Sequence, residues 1–183
     1  MATQIKRTTV AEFDKFIHLP ENTDKSFEFV GGEISEMVSN SFSSKIGARI
    51  SGFIFMYLQQ NDIGHLTGAD GGYIIGNGRY IPDVTYVSYE KQPESCHEAY
   101  NPNVPDLVVE VVSPTDSERQ LSIKISDYLT VGTVVWVVRP DVKEVDIFAP
   151  GQAAKSVDLT GKLDGGDILP GFVLAIKDIF PAS

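Results

Sequence analysis

The chain has 183 residues and carries 15 Lys and Arg against 25 Asp and Glu, which gives a net charge of −10. This length is typical of one domain, which we predict over residues 1–183, and it can bury a core without a disulfide or a structural metal. A composition of 42% hydrophobic and 22% charged residues excludes a disordered chain. The single cysteine excludes an intrachain disulfide, and the acidity argues against broad, nonspecific coating of nucleic acid.

The first twenty residues do not predict a secretion signal, because Glu12, Asp14 and Lys15 lie where an apolar run would be needed. No window approaches ~18 uninterrupted apolar residues, so no transmembrane helix is expected. We therefore expect a cytoplasmic protein that does not enter a membrane.

Hydrophobic periodicity and turn residues predict a strand-rich α/β domain with a mixed sheet. A capping box from Thr9 to Glu12 predicts the start of a short helix, and a double glycine predicts a hairpin over 27–37. Gly64 is interpreted as closing a long helix, and the stretch 89–105 as a loop. The other predicted elements are that helix over 43–60, a helix over 117–129, strands at 73–75, 84–88, 107–113, 134–138, 144–148 and 173–175, and turns at 68–72 and 76–78.

Glu110 lies inside a predicted strand, in a run of β-branched residues. A carboxylate in such a run is costly unless it is paired or bound to a metal. Strand alternation puts Asp106 on the same face, but four residues span about 13 Å at ~3.3 Å per residue. Because that separation is too long for one ion, Asp106 is interpreted as a strand-start residue.

Asp83 follows Pro82 at the start of another predicted strand, a position that suits proline. Neighbouring strands lie ~4.8 Å apart, so pairing of the two strands would bring Asp83 and Glu110 together around one divalent cation. The alternative is that Pro82 and Asp83 only form a turn.

Lys124 falls on the apolar face of the second predicted helix rather than opposite it. Metal-assisted phosphodiester hydrolysis needs an amine near two carboxylates, because the metal activates water and the ammonium neutralises charge on the phosphate. Two alternatives stay open, namely a structural salt bridge with Glu110 and a lysine that extends its charged end into water. The residues that share this helix face are Leu121, Lys124, Ile125 and Tyr128.

Taken together, these residues resemble the Uma-two family of the PD-(D/E)XK restriction-endonuclease-like superfamily, a family common in cyanobacteria. The resemblance covers nearly the whole chain, and its specificity comes from the combination of motifs. These motifs are Pro82-Asp83, Val109-Glu-Val-Val-Ser-Pro114, Lys124 with Tyr128, the hairpin Phe27-Glu-Phe-Val-Gly-Gly-Glu-Ile34, Trp136 in Val134-Val-Trp-Val-Val-Arg-Pro140, and Leu163-Asp-Gly-Gly-Asp-Ile-Leu-Pro-Gly-Phe172.

The resemblance implies a central mixed β-sheet flanked by helices and a homodimer. It implies that Asp83, Glu110 and the backbone carbonyl of Val111 bind Mg²⁺, with Mn²⁺ as a substitute. Lys124 would replace the superfamily lysine usually found two residues after the glutamate, and Glu28 would be an additional acidic residue of the site.

The sequence also departs from the family pattern. Ser44 stands where many members have a histidine, and Ser39 stands where a proline is expected. Arg139 precedes Pro140 where the family usually has Asp-Pro. These departures leave the acidic pair and the lysine intact.

Three hypotheses follow from this reading. The leading one is a Mg²⁺-dependent endonuclease that hydrolyses phosphodiester bonds, with DNA as substrate. The second is a non-catalytic module that binds nucleic acid or protein and keeps the nuclease fold. The third treats Glu110 and Lys124 as an ion pair that only stabilises the fold.

Cys96 and His97 are adjacent in the sequence and lack a second pair of ligands, so no zinc site is expected there.

Overall fold

The computed structural model describes residues 7–37, 40–114 and 116–180. Its helices are α1 (Val10–Phe16), α2 (Ser41–Leu58), α3 (Glu118–Thr130) and α4 (Ile176–Ile179), with a 3₁₀ turn at Pro20–Asn22. Its strands are β1 (Phe27–Val30), β2 (Glu33–Glu36), β3 (Gly64–Gly68), β4 (Gly72–Ile75), β5 (Gly78–Tyr80), β6 (Val84–Ser88), β7 (Tyr100–Asn101), β8 (Leu107–Val111), β9 (Val134–Arg139), β10 (Glu144–Phe148), β11 (Lys155–Val157), β12 (Lys162–Asp164) and β13 (Val173–Ala175). Among these described residues, no helix combines the length and apolar character needed to cross a membrane.

The described strands form three sheets. The largest has the order β11-β10-β9-β8-β6-β3, a second has the order β2-β1-β5-β4-β7, and β12 pairs with β13. In the largest sheet β8 and β9 run parallel and the other pairs run antiparallel. The predicted α/β architecture, a central mixed sheet flanked by helices, is therefore confirmed.

Helices α2 and α3 cover opposite faces of the largest sheet. Because successive side chains of a strand point to opposite faces, Val109 of β8 belongs to the core that contains Ile50 of α2. Val108 belongs to the core that contains Tyr128 of α3. Glu110, two residues after Val108, thus lies on the α3 face of the sheet.

Most predicted elements agree with the structure to within two residues, including the Thr9 capping box. The interpretation of Gly64 was wrong, because this glycine begins β3, which pairs with β6 from Gly64–Ser88 to Gly68–Val84. The short strands β5, β7, β11 and β12 and the short helix α4 were also missed. Short, glycine-containing or polar segments carry little hydrophobic alternation, so their pairing partners decide their conformation.

Candidate active site

Helix α3 directs the Lys124 amine into the protein. Ser117 caps the helix by accepting a hydrogen bond from the Gln120 amide, and Lys124 lies on the buried face with only 6% of its surface exposed. Its Nζ donates to Glu110 Oε2 at 2.8 Å and to Glu28 Oε1 at 2.9 Å. The lysine therefore does not extend into water, and its predicted inward orientation towards Glu110 is confirmed.

Both carboxylate oxygens of Glu110 are held by side chains of α3. Oε2 accepts from Lys124, and Oε1 accepts from the Tyr128 hydroxyl at 2.9 Å. Glu110 is only 8% exposed, so these charge-assisted bonds offset part of the cost of burying its charge.

Strand pairing brings Asp83 beside the Glu110 strand. Val84 pairs with Val109 in the antiparallel ladder between β6 and β8. Asp83, one residue before Val84, accepts a hydrogen bond through Oδ2 from the Val111 amide at 2.7 Å. Within the described part of the chain, its other oxygen makes no hydrogen bond. Asp83 is therefore hydrogen-bonded to the strand that carries Glu110.

Glu28 reaches the same place from the second sheet. It lies on β1, is buried, and accepts through Oε1 from the Ile81 amide at 2.7 Å and from Lys124. Because Ile81 is two residues before Asp83, Glu28 connects the N-terminal hairpin to the segment that carries Asp83. The structure thus brings together all four side chains predicted for the site.

The cluster holds more negative than positive charge. Burial raises the pKa of Glu110 to about 7, and the Lys124 ammonium opposes the rise. Burial also raises the pKa of Asp83, against the opposing effects of the Val111 amide and Lys124. Burial by itself would lower the pKa of Lys124, but Glu110 and Glu28 together raise it above its ordinary value. The lysine therefore remains an ammonium among an excess of carboxylates.

These side chains line a cavity of about 360 Å³. Asn40 and Ser117, which cap α2 and α3, also line it. So do two exposed acidic residues that the sequence analysis missed, Glu36 and Asp116. Neither interrupts an apolar run, so their sequence context resembles that of any surface carboxylate.

The donor set fits Mg²⁺, a hard cation that prefers oxygen ligands. Among the described residues, no three His, Cys, Asp or Glu side chains assemble into a metal-binding group. Mg²⁺ usually binds one or two protein carboxylates together with water and phosphate oxygens. Asp83 and Glu110, with Val111 on the wall of the same cavity, match that smaller set.

Those residues that depart from the family pattern and lie in the described part of the chain do not line the cavity. Ser44 is exposed in the first turn of α2. Arg139 forms ion pairs with Asp146 Oδ2 at 2.8 Å and with Glu118 Oε1 at 3.0 Å. Ser39 lies outside the described residues. Asp106, interpreted as a strand-start residue, accepts from the Ser88 amide away from the cavity.

The fold of this chain is shared with a solved structure. The chain is similar to a crystal structure described as a putative nuclease belonging to DUF820 from Anabaena variabilis ATCC 29413, with a TM-score of 0.81 and 22% sequence identity. The match covers 94% of this chain and 97% of that chain, and it shows that the two share a restriction-endonuclease-like fold.

A family model identifies the family. The Uma2 model, described as "Putative restriction endonuclease", matches residues 13–177, and the chain belongs to this family. The resemblance to the Uma-two family noted from the sequence is thereby confirmed. Among curated proteins, none matches this chain.

Proposed function

We propose that this protein is a Mg²⁺-dependent endonuclease that hydrolyses phosphodiester bonds in DNA. The description of its family supports nuclease chemistry. The observation that carries the proposal is the buried Lys124 ammonium between Glu110 and Glu28, on the wall of a cavity that Asp83 also lines. An excess of buried carboxylates over cations favours binding of a metal ion.

Asp83, Glu110 and the Val111 carbonyl would hold the Mg²⁺ ion. When bound, Mg²⁺ supplies Lewis-acid activation of water and neutralises phosphate charge, and Mn²⁺ can supply the same chemistry. The raised pKa of Glu110 would make metal binding depend on pH, because a ligand carboxylate must be ionised, and a bound cation would stabilise the ionised form that burial disfavours.

Lys124 would act as a fixed positive charge rather than as a base. Its pKa is raised by Glu110 and Glu28, so it holds its proton at neutral pH. An ammonium on the wall of the cavity would stabilise the negative charge that develops on a phosphate in the transition state. Glu28 would orient Lys124, since one oxygen of Glu28 accepts from both the Ile81 amide and the lysine.

The proposal is tested by cleavage of supercoiled plasmid DNA with Mg²⁺ or Mn²⁺. Wild type should nick or linearise the plasmid, and EDTA should abolish the activity. Glu110→Gln and Lys124→Met should each lower the rate at least about 100-fold, the usual cost of losing a preorganised charge at a reacting group. Asp106→Asn, which changes a carboxylate of the same chain segment outside the cavity, should keep near wild-type activity.

Two results would contradict the proposal. Equal cleavage by wild type, Glu110→Gln and Lys124→Met would show that the cluster does not carry the activity. Binding of DNA by wild type without metal-dependent cleavage would favour the non-catalytic binding module.

A further inference from the structure

Tyr128 donates a hydrogen bond to Glu110 but is not one of the proposed metal ligands. Its side chain is completely buried on α3, and its hydroxyl donates to Glu110 Oε1 at 2.9 Å. Lys124, four residues earlier on the same helix face, donates to Glu110 Oε2 at 2.8 Å. One turn of helix therefore holds both oxygens of a single carboxylate.

The ring of Tyr128 is fixed by aromatic packing. It lies edge-on to the ring of Tyr80, with centroids 5.4 Å apart and an interplanar angle of 71°. Tyr80 is in turn tied to α3, because its hydroxyl donates to Asp127 Oδ2. The Tyr128 hydroxyl consequently has a defined position relative to β8.

The last torsion of a glutamate side chain is soft, so a single hydrogen bond leaves its carboxylate group free to rotate. Two donors, one on each oxygen, restrict this rotation. Because metal binding depends on the direction of the carboxylate lone pairs, a fixed carboxylate binds an ion with a smaller loss of entropy.

We infer that Tyr128 is a positioning residue that, together with Lys124, fixes the orientation of the Glu110 carboxylate for metal binding. This inference rests on the proposed function, since it requires Glu110 to be a metal ligand. Residues that hydrogen-bond to a metal ligand usually contribute a factor of about 10 to 100 in metal affinity.

The test measures Mn²⁺ binding without DNA, using the electron paramagnetic resonance signal of free Mn²⁺. Tyr128→Phe keeps the ring and removes only the hydroxyl, so its Mn²⁺ affinity should fall about 10-fold or more. The matched control is Tyr86→Phe, which removes a buried tyrosine hydroxyl that donates to the Ile63 carbonyl. The control should bind Mn²⁺ like wild type.

A second comparison of variants separates orientation of the Glu110 carboxylate by Tyr128 from a general effect of the substitution on the fold. In a Glu110→Gln background, Tyr128→Phe should cause no additional loss of Mn²⁺ affinity, because the group that it orients is already changed. An additional loss of similar size would overturn the positioning role. If Tyr128→Phe does not melt cooperatively, Tyr128→Met serves as the second variant, since methionine fills irregular apolar space without a strong donor.

The outcomes distinguish this inference from the proposed function. Equal Mn²⁺ affinities of wild type and Tyr128→Phe would overturn the role of Tyr128 and leave the metal site standing. Failure of wild type to bind Mn²⁺ would overturn the proposed metal site and the positioning role together.

Discussion

At the scale of single residues, the unusual feature is one buried ammonium that donates hydrogen bonds to two carboxylates. Lys124 donates to Glu28 and to Glu110, while Asp83 lies close enough to raise the pKa of Glu110. A purely structural ion pair would balance its charges, because unpaired buried charge is costly. The excess of carboxylates over the single ammonium is the charge that the proposed cation would offset.

The lysine should nevertheless be important for stability. Lys124→Met leaves Glu28 and Glu110 buried without their cation, and breaking such a pair costs about 3–5 kcal/mol. Urea unfolding followed by circular dichroism should show this loss in the free energy of unfolding. The control is Lys25→Met, since the ion pair of Lys25 with Glu36 is exposed and should contribute less than about 1 kcal/mol. Equal losses in both variants would contradict the paired, buried state of Lys124.

At the scale of elements, the site depends on the register between strands. The antiparallel pairing of β6 with β8 brings Asp83 to the Val111 amide. On the other side of β6, β3 is held by five residue pairs that begin with Gly64 opposite Ser88. A glycine is required there because an added Cβ would lie 2.4 Å from the Val87 carbonyl oxygen.

This close approach predicts different effects of alanine at the two ends of β3. Gly64→Ala should lower the free energy of unfolding by about 1–3 kcal/mol, the usual cost of overpacking. Gly68→Ala should have an effect below about 1 kcal/mol, because a Cβ at Gly68 would meet no atom within 4 Å. Thermal melts of the two variants would check the difference. Indistinguishable melting temperatures would show that the end of β3 at Gly64 can relax.

At the scale of the whole molecule, the net charge of −10 opposes approach to DNA. Nonspecific affinity rests on neutralising phosphates with Lys and Arg, and the buried cation of the site is already paired with Glu28 and Glu110. A DNA substrate would therefore depend on divalent cations in the cavity or on a groove between subunits. The homodimer and the cytoplasmic location stay predictions.

Metal binding should also change the stability of the whole chain. Mn²⁺ at about 100 times its dissociation constant stabilises the folded state by about 2.7 kcal/mol, which corresponds to roughly 5–10 °C in melting temperature for a chain of this size. Differential scanning fluorimetry should show this rise for wild type but not for Asp83→Asn. NaCl at matched ionic strength is the control for general screening of the acidic surface. Similar shifts with NaCl, or in Asp83→Asn, would argue against a specific site.

Much of this arrangement could be predicted from the sequence. Periodicity located α2, α3 and the central strands, because local hydrophobic patterns report directly which face an element buries, and a capping box located the start of α1. A glutamate inside a β-branched run and a lysine on an apolar helix face were detectable for the same reason, since each violates the local pattern. The motif order around Asp83, Glu110 and Lys124 identified the family.

Only the tertiary structure decided which of these groups meet. Glu28 and Lys124 are 96 residues apart and share a hydrogen bond because the N-terminal hairpin lies against α3. The bond from Tyr128 to Glu110 likewise depends on how α3 lies across β8. Periodicity shows that a side chain points inward, but register and helix placement determine which partner it finds there. The sequence by itself therefore determined most of the longer elements, the inward-facing charges and the family, whereas the folded chain assembled these charges into one cavity.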